Sequence, residues 1–377
     1  MSYQPKTRIG ILGGGQLGRM LIRETINLDV DVHVLDPDAD APCKHICHEF
    51  TQGSFNDYDT VLAFGQTVDI ITIEIEHVNV DALAALEAMG KQVFPQSGVI
   101  RLIQDKGAQK EFYREHNIPS PPFRLVDAEA IHQHIDFLPA FQKLRKGGYD
   151  GKGVQALWSA TDIDKAFGTP SVLEKAVTLR KELSVIVSRN AKGEIAAFPV
   201  VELEFNPKAN LVEFLFSPAD VTAEIEAQAQ HLAQTVAEKL GIVGLLAVEL
   251  FLDTQDKIWV NEIAPRPHNS GHQTIEGNYT SQFMQHLRAI LGLSPGDTSV
   301  VKPSVMVNLL GEEGHTGEAR YEGLETAIAW KGVNVHLYGK RFTKPFRKMG
   351  HVTVISETLE EAKATAKNVQ QTLKVKA

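Results

Sequence analysis

The chain has 377 residues, 43% of them hydrophobic and 23% charged, with a formal net charge of −9. That length exceeds one ordinary core and points to two or three domains, and no apolar run approaches the roughly 18 residues of a membrane span. The acidic balance disfavours nucleic acid or an anionic membrane as main partner, yet allows small anionic substrates held by local basic clusters.

The polar N-terminus leads directly into a strand-like run, without the pattern of a signal or transit peptide, so a cytoplasmic location is expected. Short apolar runs then alternate with helical patterns at 8–12, 17–26, 30–35, 69–75, 80–89 and 92–94. This order predicts a Rossmann-like parallel sheet with crossover helices over residues 1–104. The turn Gly13-Gly14-Gly15-Gln16-Leu17-Gly18 matches G-x-G-x-x-G, opens a helix, and is followed by Asp36 at the end of the next strand. Its physical content is close approach of the backbone to an anion at a helix N-terminus. A sugar phosphate, a nicotinamide or flavin dinucleotide, and plain turn geometry are the alternatives.

Cys43 and Cys47, the only cysteines, form no disulfide framework and fit a reducing compartment. Together with His45 and His48 they invite a zinc reading, but the C-x3-C spacing lacks a second ligand pair and reads as loop packing.

A helical stretch at 106–116 stops before Pro119, Pro121 and Pro122, a stiff link between domains. Residues 105–298 then show α+β patterning, with strands expected at 141–145, 154–157, 172–175, 183–188, 245–252 and 257–263. Val221, Ile225, Leu232, Val236 and Leu240 recur at helical spacing before Gly241. A small α+β unit occupies 299–377, with strands at 305–310, 333–338 and 352–355. Its last helix opens on Thr358 and Glu361 in capping-box spacing and buries Leu359, Ala366, Val369 and Leu373.

Four clusters carry chemistry. Gly147-Gly148-Tyr149-Asp150-Gly151-Lys152-Gly153 is not a Walker loop, since three residues rather than four separate the first glycine from Gly-Lys and a strand follows. It reads as a hairpin flap closing over triphosphate oxygens with N–H groups and Lys152, with Lys143 beneath. Glu249 and Glu262 are nearly symmetric about the turn Asp253-Thr254-Gln255-Asp256. Two carboxylates opposed at about 5 Å call for a cation, and magnesium shared with phosphates is the natural one, with Asn261 as a further oxygen. Beyond them, Arg266, His268 and Asn269 suit a small oxyanion that accepts the γ-phosphoryl group. The stretch 340–348 is strongly basic, a site for a phosphate-bearing substrate if the last unit folds back over the centre.

These residues as a set resemble the N5-carboxyaminoimidazole ribonucleotide synthetase family. The resemblance lies in GGGQLGRM at 13–20, GGYDGKG at 147–153, NEIAPRPHNSGH at 261–272, PSVMVNLLG at 303–311 and RKMGH at 347–351, in order along the chain. It implies ATP-grasp architecture: the N-terminal sheet, a central ATP-grasp domain with its glycine-rich flap, and the small C-terminal domain. It implies a homodimer using ATP, Mg2+ and bicarbonate to carboxylate aminoimidazole ribonucleotide through carboxyphosphate, in purine biosynthesis.

By the same resemblance ATP contacts fall on Lys106, Lys143, Gly147, Gly148, Tyr149, Asp150, Gly151, Lys152, Gly153, Glu174, Lys175, Ala176, Val177, Glu182, Asn261 and Glu262. Metal ligands fall on Glu249 and Glu262, and the bicarbonate group on Arg266, His268 and Asn269. The ribonucleotide falls on Gln16, Leu17, Glu76, Tyr149, Lys340, Arg347 and Lys348. Glu74 and Glu76 are expected on one side of a strand, so either approaches the imidazole amine. Lys106 and Phe205 stand where some relatives carry Arg and His. The rival readings are a formate-using glycinamide ribonucleotide transformylase, a dinucleotide oxidoreductase and a silent ATP-binding regulator.

Overall fold

The computed structural model describes residues 5–127, 131–148, 153–206 and 211–377. Tyr149, Asp150, Gly151 and Lys152, four of the expected flap contacts, lie outside these described residues.

Five parallel strands form the N-terminal sheet, in the order Glu49–Gln52, Asp31–Asp36, Arg8–Leu12, Ile70–Ile73, Gln92–Val93. Both faces are buried, which is why its strands read as continuous apolar runs. Ile9, Ile11, Val32 and Val34 enter one core, and Leu12, Leu35, Ile71 and Ile73 the other. The chain leaves the first strand for one side of the sheet and later returns on the other. The glycine turn therefore sits at the switch point, where open α/β sheets form their crevice.

The fourth strand is shorter than expected. It ends at Ile73, so Glu74 and Glu76 do not project from one strand face, and each has its own destination.

The centre is a nine-stranded antiparallel sheet whose main path runs Ile258–Ala264, Gly244–Asp253, Leu179–Arg189, Val201–Asn206, Leu211–Ser217, Ser304–Leu310, Lys348–Ile355, Val333–Leu337. Three C-terminal strands thus extend the central sheet, while Gly317–Glu318 pairs with Phe342–Thr343 and Arg320–Glu322 with Lys374–Lys376 in two small sheets of their own. One face is covered by the helix Ala223–Leu240, which Thr222 caps and Gly241 ends in the left-handed conformation. Leu246, Val248, Leu250 and Leu252 pack beneath that helix beside Leu183, Val185 and Val187. Strand alternation sends Glu182, Ser184 and Glu249 to the opposite face.

A second antiparallel sheet of four strands, in the order Phe123–Val126, Ser171–Lys175, Ala140–Leu144, Val154–Leu157, holds its own small core around Leu157 and Leu173. The proline link is stitched to both sheets, with Val260 N donating to Pro119 O at 2.8 Å and Lys175 N to Pro122 O at 2.8 Å. The N-terminal unit is fixed too, because Phe283, Leu287 and Ile290 of the helix Gln282–Ile290 share its core. In the last helix, Thr358 accepts from Glu361 N, and Ala362, Ala366 and Val369 are buried. No described helix is long and apolar enough to cross a membrane.

Candidate active site

The Gly244–Asp253 and Ile258–Ala264 strands form a hairpin in which Asp253 Oδ1 accepts from Gln255 N and Lys257 N. Glu249 and Glu262 are direct register partners across it. The pairing shifts immediately afterwards, Leu250 meeting Val260, so Asn261 is the extra residue of a bulge. Such a bulge re-aims side chains beside a site. Asn261 Oδ1 accepts from Lys143 Nζ at 2.9 Å and Glu262 from Lys106 Nζ at 2.5 Å, so both neighbours turn into one cleft.

The two carboxylates differ in state. Burial and the facing Glu262 charge push Glu249 up to about 7. Burial works in the same direction on Glu262, but Lys106 outweighs it and holds that carboxyl below its ordinary value. A divalent cation between them removes the repulsion. Among the described residues no cluster of three or more His, Cys, Asp or Glu side chains is set to hold a metal alone. Two carboxylates fit magnesium, which completes its shell with phosphate oxygens and water.

Lys143 and Glu174 belong to the small sheet. Glu174 is only 2% exposed and lies between two ammonium groups, Lys143 at 2.7 Å and Lys110 in direct contact. Its side chain is therefore committed to the lysines, and the Ala176 amide is taken up by Pro139 O at 3.0 Å. Lys175 Nζ is itself tied to Leu138 O at 2.9 Å. Glu182, on the central-sheet strand Leu179–Arg189, has its carboxyl pushed up to about 7 by burial. Gly147 and Gly148 both take positive φ before the flap, and Gly153 does so after it, a backbone that favours glycine.

Past Glu262 the chain turns through Pro265 and Pro267 toward the N-terminal unit. Arg266 pairs with Glu76 through both nitrogens of its fork, Nη2 lying 3.2 Å from Oε1. Asn269 and Asn308 exchange two amide hydrogen bonds, each of 3.0 Å. His268 Nε2 stands 3.6 Å from Glu249 Oε1. Burial, then Arg266 and Lys348, lower its pKa to about 3, so the ring is neutral.

The basic stretch does fold back. Lys348 is close enough for its charge to act on both Glu249 and His268. Lys340 Nζ donates to Lys348 O at 2.8 Å, and Arg347 donates to Phe342 O at 2.6 Å. The position a Cβ would take on Gly339 is 3.4 Å from Arg19 Nη1, so this segment meets the helix that follows the glycine turn.

That turn has an internal occupant. Glu74 accepts from Gly15 N and Gly18 N, both at 2.7 Å, and Asp36 accepts from Gly14 N at 2.7 Å. A Cβ on Gly15 would lie 2.4 Å from Glu74 Oε1. The glycines thus admit the protein's own carboxylate, and the dinucleotide reading loses its pyrophosphate seat; Glu76 rather than Glu74 faces the cleft. Gln16 and Leu17 follow directly, beside the basic segment. The cysteines serve packing, Cys43 Sγ donating to Gly15 O at 3.4 Å.

Three partners were not singled out from the sequence. Lys110 stands one helical turn beyond Lys106, an i,i+4 signal that was available. Ser184 is two residues beyond Glu182 on the same strand face, again a readable period. Gln282, whose amide grips the His268 backbone, left no local trace.

A sheet-borne carboxylate pair, facing Lys106 at a helix start and Lys143 on a second smaller sheet with a glycine-rich hairpin, defines an ATP-grasp protein. Residues 6–104 match the ribonucleotide synthetase preATP-grasp domain, 111–283 the ATP-grasp domain, and 304–365 the phosphoribosylaminoimidazole carboxylase C-terminal domain. The N5-carboxyaminoimidazole ribonucleotide synthase of Bacillus subtilis is 37% identical, covering 95% of this chain and 93% of its own. A chloroplastic phosphoribosylaminoimidazole carboxylase from Vigna aconitifolia is 38% identical over 93% of this chain, which spans only 64% of that longer relative. Among solved structures, the N5-carboxyaminoimidazole ribonucleotide synthetase of Thermotoga maritima superposes with a TM-score of 0.91, at 41% identity, covering 98% of this chain and 99% of the other. The Aspergillus clavatus N5-carboxyaminoimidazole synthase, in complex with ADP and 5-aminoimidazole ribonucleotide, has a TM-score of 0.89 and 34% identity, covering 97% and 98%. The chain belongs to the N5-carboxyaminoimidazole ribonucleotide synthetase family, whose members are ATP-dependent ligases.

Proposed function

We propose that the chain carboxylates 5-aminoimidazole ribonucleotide with bicarbonate at the expense of ATP, giving N5-carboxyaminoimidazole ribonucleotide, ADP and phosphate in purine biosynthesis. The observation that carries this reading is the convergence of Arg266, His268 and Lys348 on the Glu249–Glu262 pair, a small anion pocket next to a metal–triphosphate site. Lys106 and Lys143 neutralise phosphate oxygens, with Lys152 of the flap as a further charge. Glu249 and Glu262, with Asn261, are the ligands for Mg2+, which supplies charge stabilisation at the γ-phosphoryl group. Arg266 orients bicarbonate so that one of its oxygens attacks the γ-phosphorus, and ADP leaves. The substrate amine then attacks the carboxyl carbon of the resulting carboxyphosphate, phosphate leaves, and the nitrogen gives up a proton. Lys340, Arg347, Lys348 and the Gln16–Leu17 backbone hold the ribonucleotide, with Glu76 near its amine and Tyr149 as a further contact.

A homodimer and a cytoplasmic site of action accompany this reading through the family likeness, and sedimentation at micromolar concentration checks the first. The reaction is tested by ADP release with and without aminoimidazole ribonucleotide and bicarbonate, set against formate with glycinamide ribonucleotide. Release that needs both of the first pair supports the reading. Release that needs formate replaces it.

A further inference from the structure

His268 ends a buried chain of side-chain hydrogen bonds. Ser184 stands in register opposite Glu249, so the two side chains leave the same face of the sheet. Ser184 Oγ is 2.8 Å from Ser270 Oγ, and Ser270 Oγ is 2.9 Å from His268 Nδ1. At the far side of the ring, His268 Nε2 stands 3.6 Å from Glu249 Oε1, beyond hydrogen-bond distance. Ser184 is 0% exposed and Ser270 2%, so each hydroxyl finds its partner within the protein.

The direction of these hydrogen bonds follows from one main-chain group. Ser270 N points at His268 Nδ1 from 3.3 Å, and an amide N–H only donates. Nδ1 is therefore the unprotonated nitrogen, Ser270 O–H donates to it, and Ser184 O–H donates to Ser270. The ring proton sits on Nε2, facing the cleft. The His268 backbone is gripped as well, its N donating to Gln282 Oε1 at 2.8 Å and its O accepting from Gln282 Nε2 at 2.7 Å.

We propose that Ser184 and Ser270 are positioning residues that hold His268 as the Nε2–H tautomer, making it a hydrogen-bond donor to the oxyanion in the cleft and not a general base. The assignment rests on the function proposed above, because an oxyanion acceptor gives the donor its task. A neutral imidazole with Nε2 protonated has no lone pair there to take a proton. It does have a fixed N–H dipole aimed at the place where charge collects, and a preorganised donor needs no rearrangement as the reaction proceeds.

The test has two parts. Long-range 1H–15N correlation on 15N-histidine-labelled protein, with the His268 signals assigned by their loss in His268→Gln, reads the tautomer directly; the Nε2–H pattern is expected in the wild type. In turnover, Ser270→Ala lowers kcat for ADP release by roughly tenfold to a hundredfold with little change in KM for ATP, and Ser270→Thr recovers most of it. His268→Gln keeps an N–H near Nε2 but takes no proton, so it retains at least about ten times the kcat of His268→Ala. An Nδ1–H tautomer, or His268→Gln no better than His268→Ala, overturns the positioning role. Wild-type ADP release indifferent to bicarbonate instead removes the reaction, and with it the donor's task, while the tautomer measured without ligand stands.

Discussion

Arg266 and Glu76 meet as a two-pronged ion pair across the junction between the central domain and the N-terminal sheet, Nη2 to Oε1 at 3.2 Å and Nε to Oε2 in contact. Glu76 thus fixes the guanidinium by occupying its Nε–Nη2 edge, while Nη1 donates to Pro267 O at 3.2 Å.

Burial would raise the Glu76 carboxyl, but Arg266 overrides it and draws the group from 4.5 down to about 2. A depressed folded-state value means that the pair stabilises the protein above pH 4.5 and that this contribution is lost as pH falls toward 2. A depression of that size corresponds to roughly 3 kcal/mol. Urea unfolding of wild type and Glu76→Gln between pH 2 and 7 is expected to show a stability gap near neutrality that closes in acid. A gap of constant size contradicts the assignment.

Glu249→Gln and Glu262→Gln are each expected to lower ATP turnover by at least about a hundredfold, through loss of a metal oxygen. Glu249→Gln is not expected to lower the unfolding temperature of the metal-free protein, because it relieves a buried carboxyl facing a second negative charge, whereas Glu262→Gln takes the partner from Lys106 and lowers it. Turnover near the wild-type level in either variant contradicts the metal site.

The glycine turn makes a different prediction. Glu74→Gln places an NH2 group against one of the two N–H donors, at a cost of about 1–3 kcal/mol in stability. NADH titration of the wild type is expected to give no saturable signal, since the helix N-terminus already holds a carboxylate. Saturable NADH binding with a shift in Glu74→Gln argues for the dinucleotide reading.

Gly271 faces the amide that grips His268, and a Cβ there would lie 2.5 Å from Gln282 Oε1. Gly271→Ala is expected to move Gln282 and misalign His268, lowering kcat by roughly tenfold or more with a small change in stability. Steady-state ADP release beside a melting curve separates the two effects.

Lys110 supplies half of the counter-charge of Glu174, and burial pulls its own pKa down to about 8. Lys110→Met leaves that carboxylate under-compensated and is expected to cost about 3 kcal/mol. Adding Glu174→Gln should return part of this loss, and a double-mutant cycle with no coupling energy contradicts the pairing.

Several of these relationships were legible in the chain before any tertiary contact was known. The symmetry of Glu249 and Glu262 about Asp253–Asp256 is local: a short turn plus alternation leaves little freedom in a hairpin's register. The final helix was readable from Thr358 and Glu361 for the same reason, since capping acts within one turn. The bulge at Asn261 was not, because one inserted residue changes aim without changing the apolar pattern.

Local order alone thus determined the alternating N-terminal unit, the glycine flap, the opposed carboxylates and the family to which the chain belongs. Tertiary structure decided what those parts face. Glu74 filling the glycine turn, Glu76 taking Arg266, and Ser184 meeting Ser270 join residues from 56 to 190 positions apart, in contacts that no periodicity marks. Such contacts depend on how separately folded layers close on one another. Their partners are chosen by burial and by the need to satisfy each buried polar group, which no short stretch of sequence can specify.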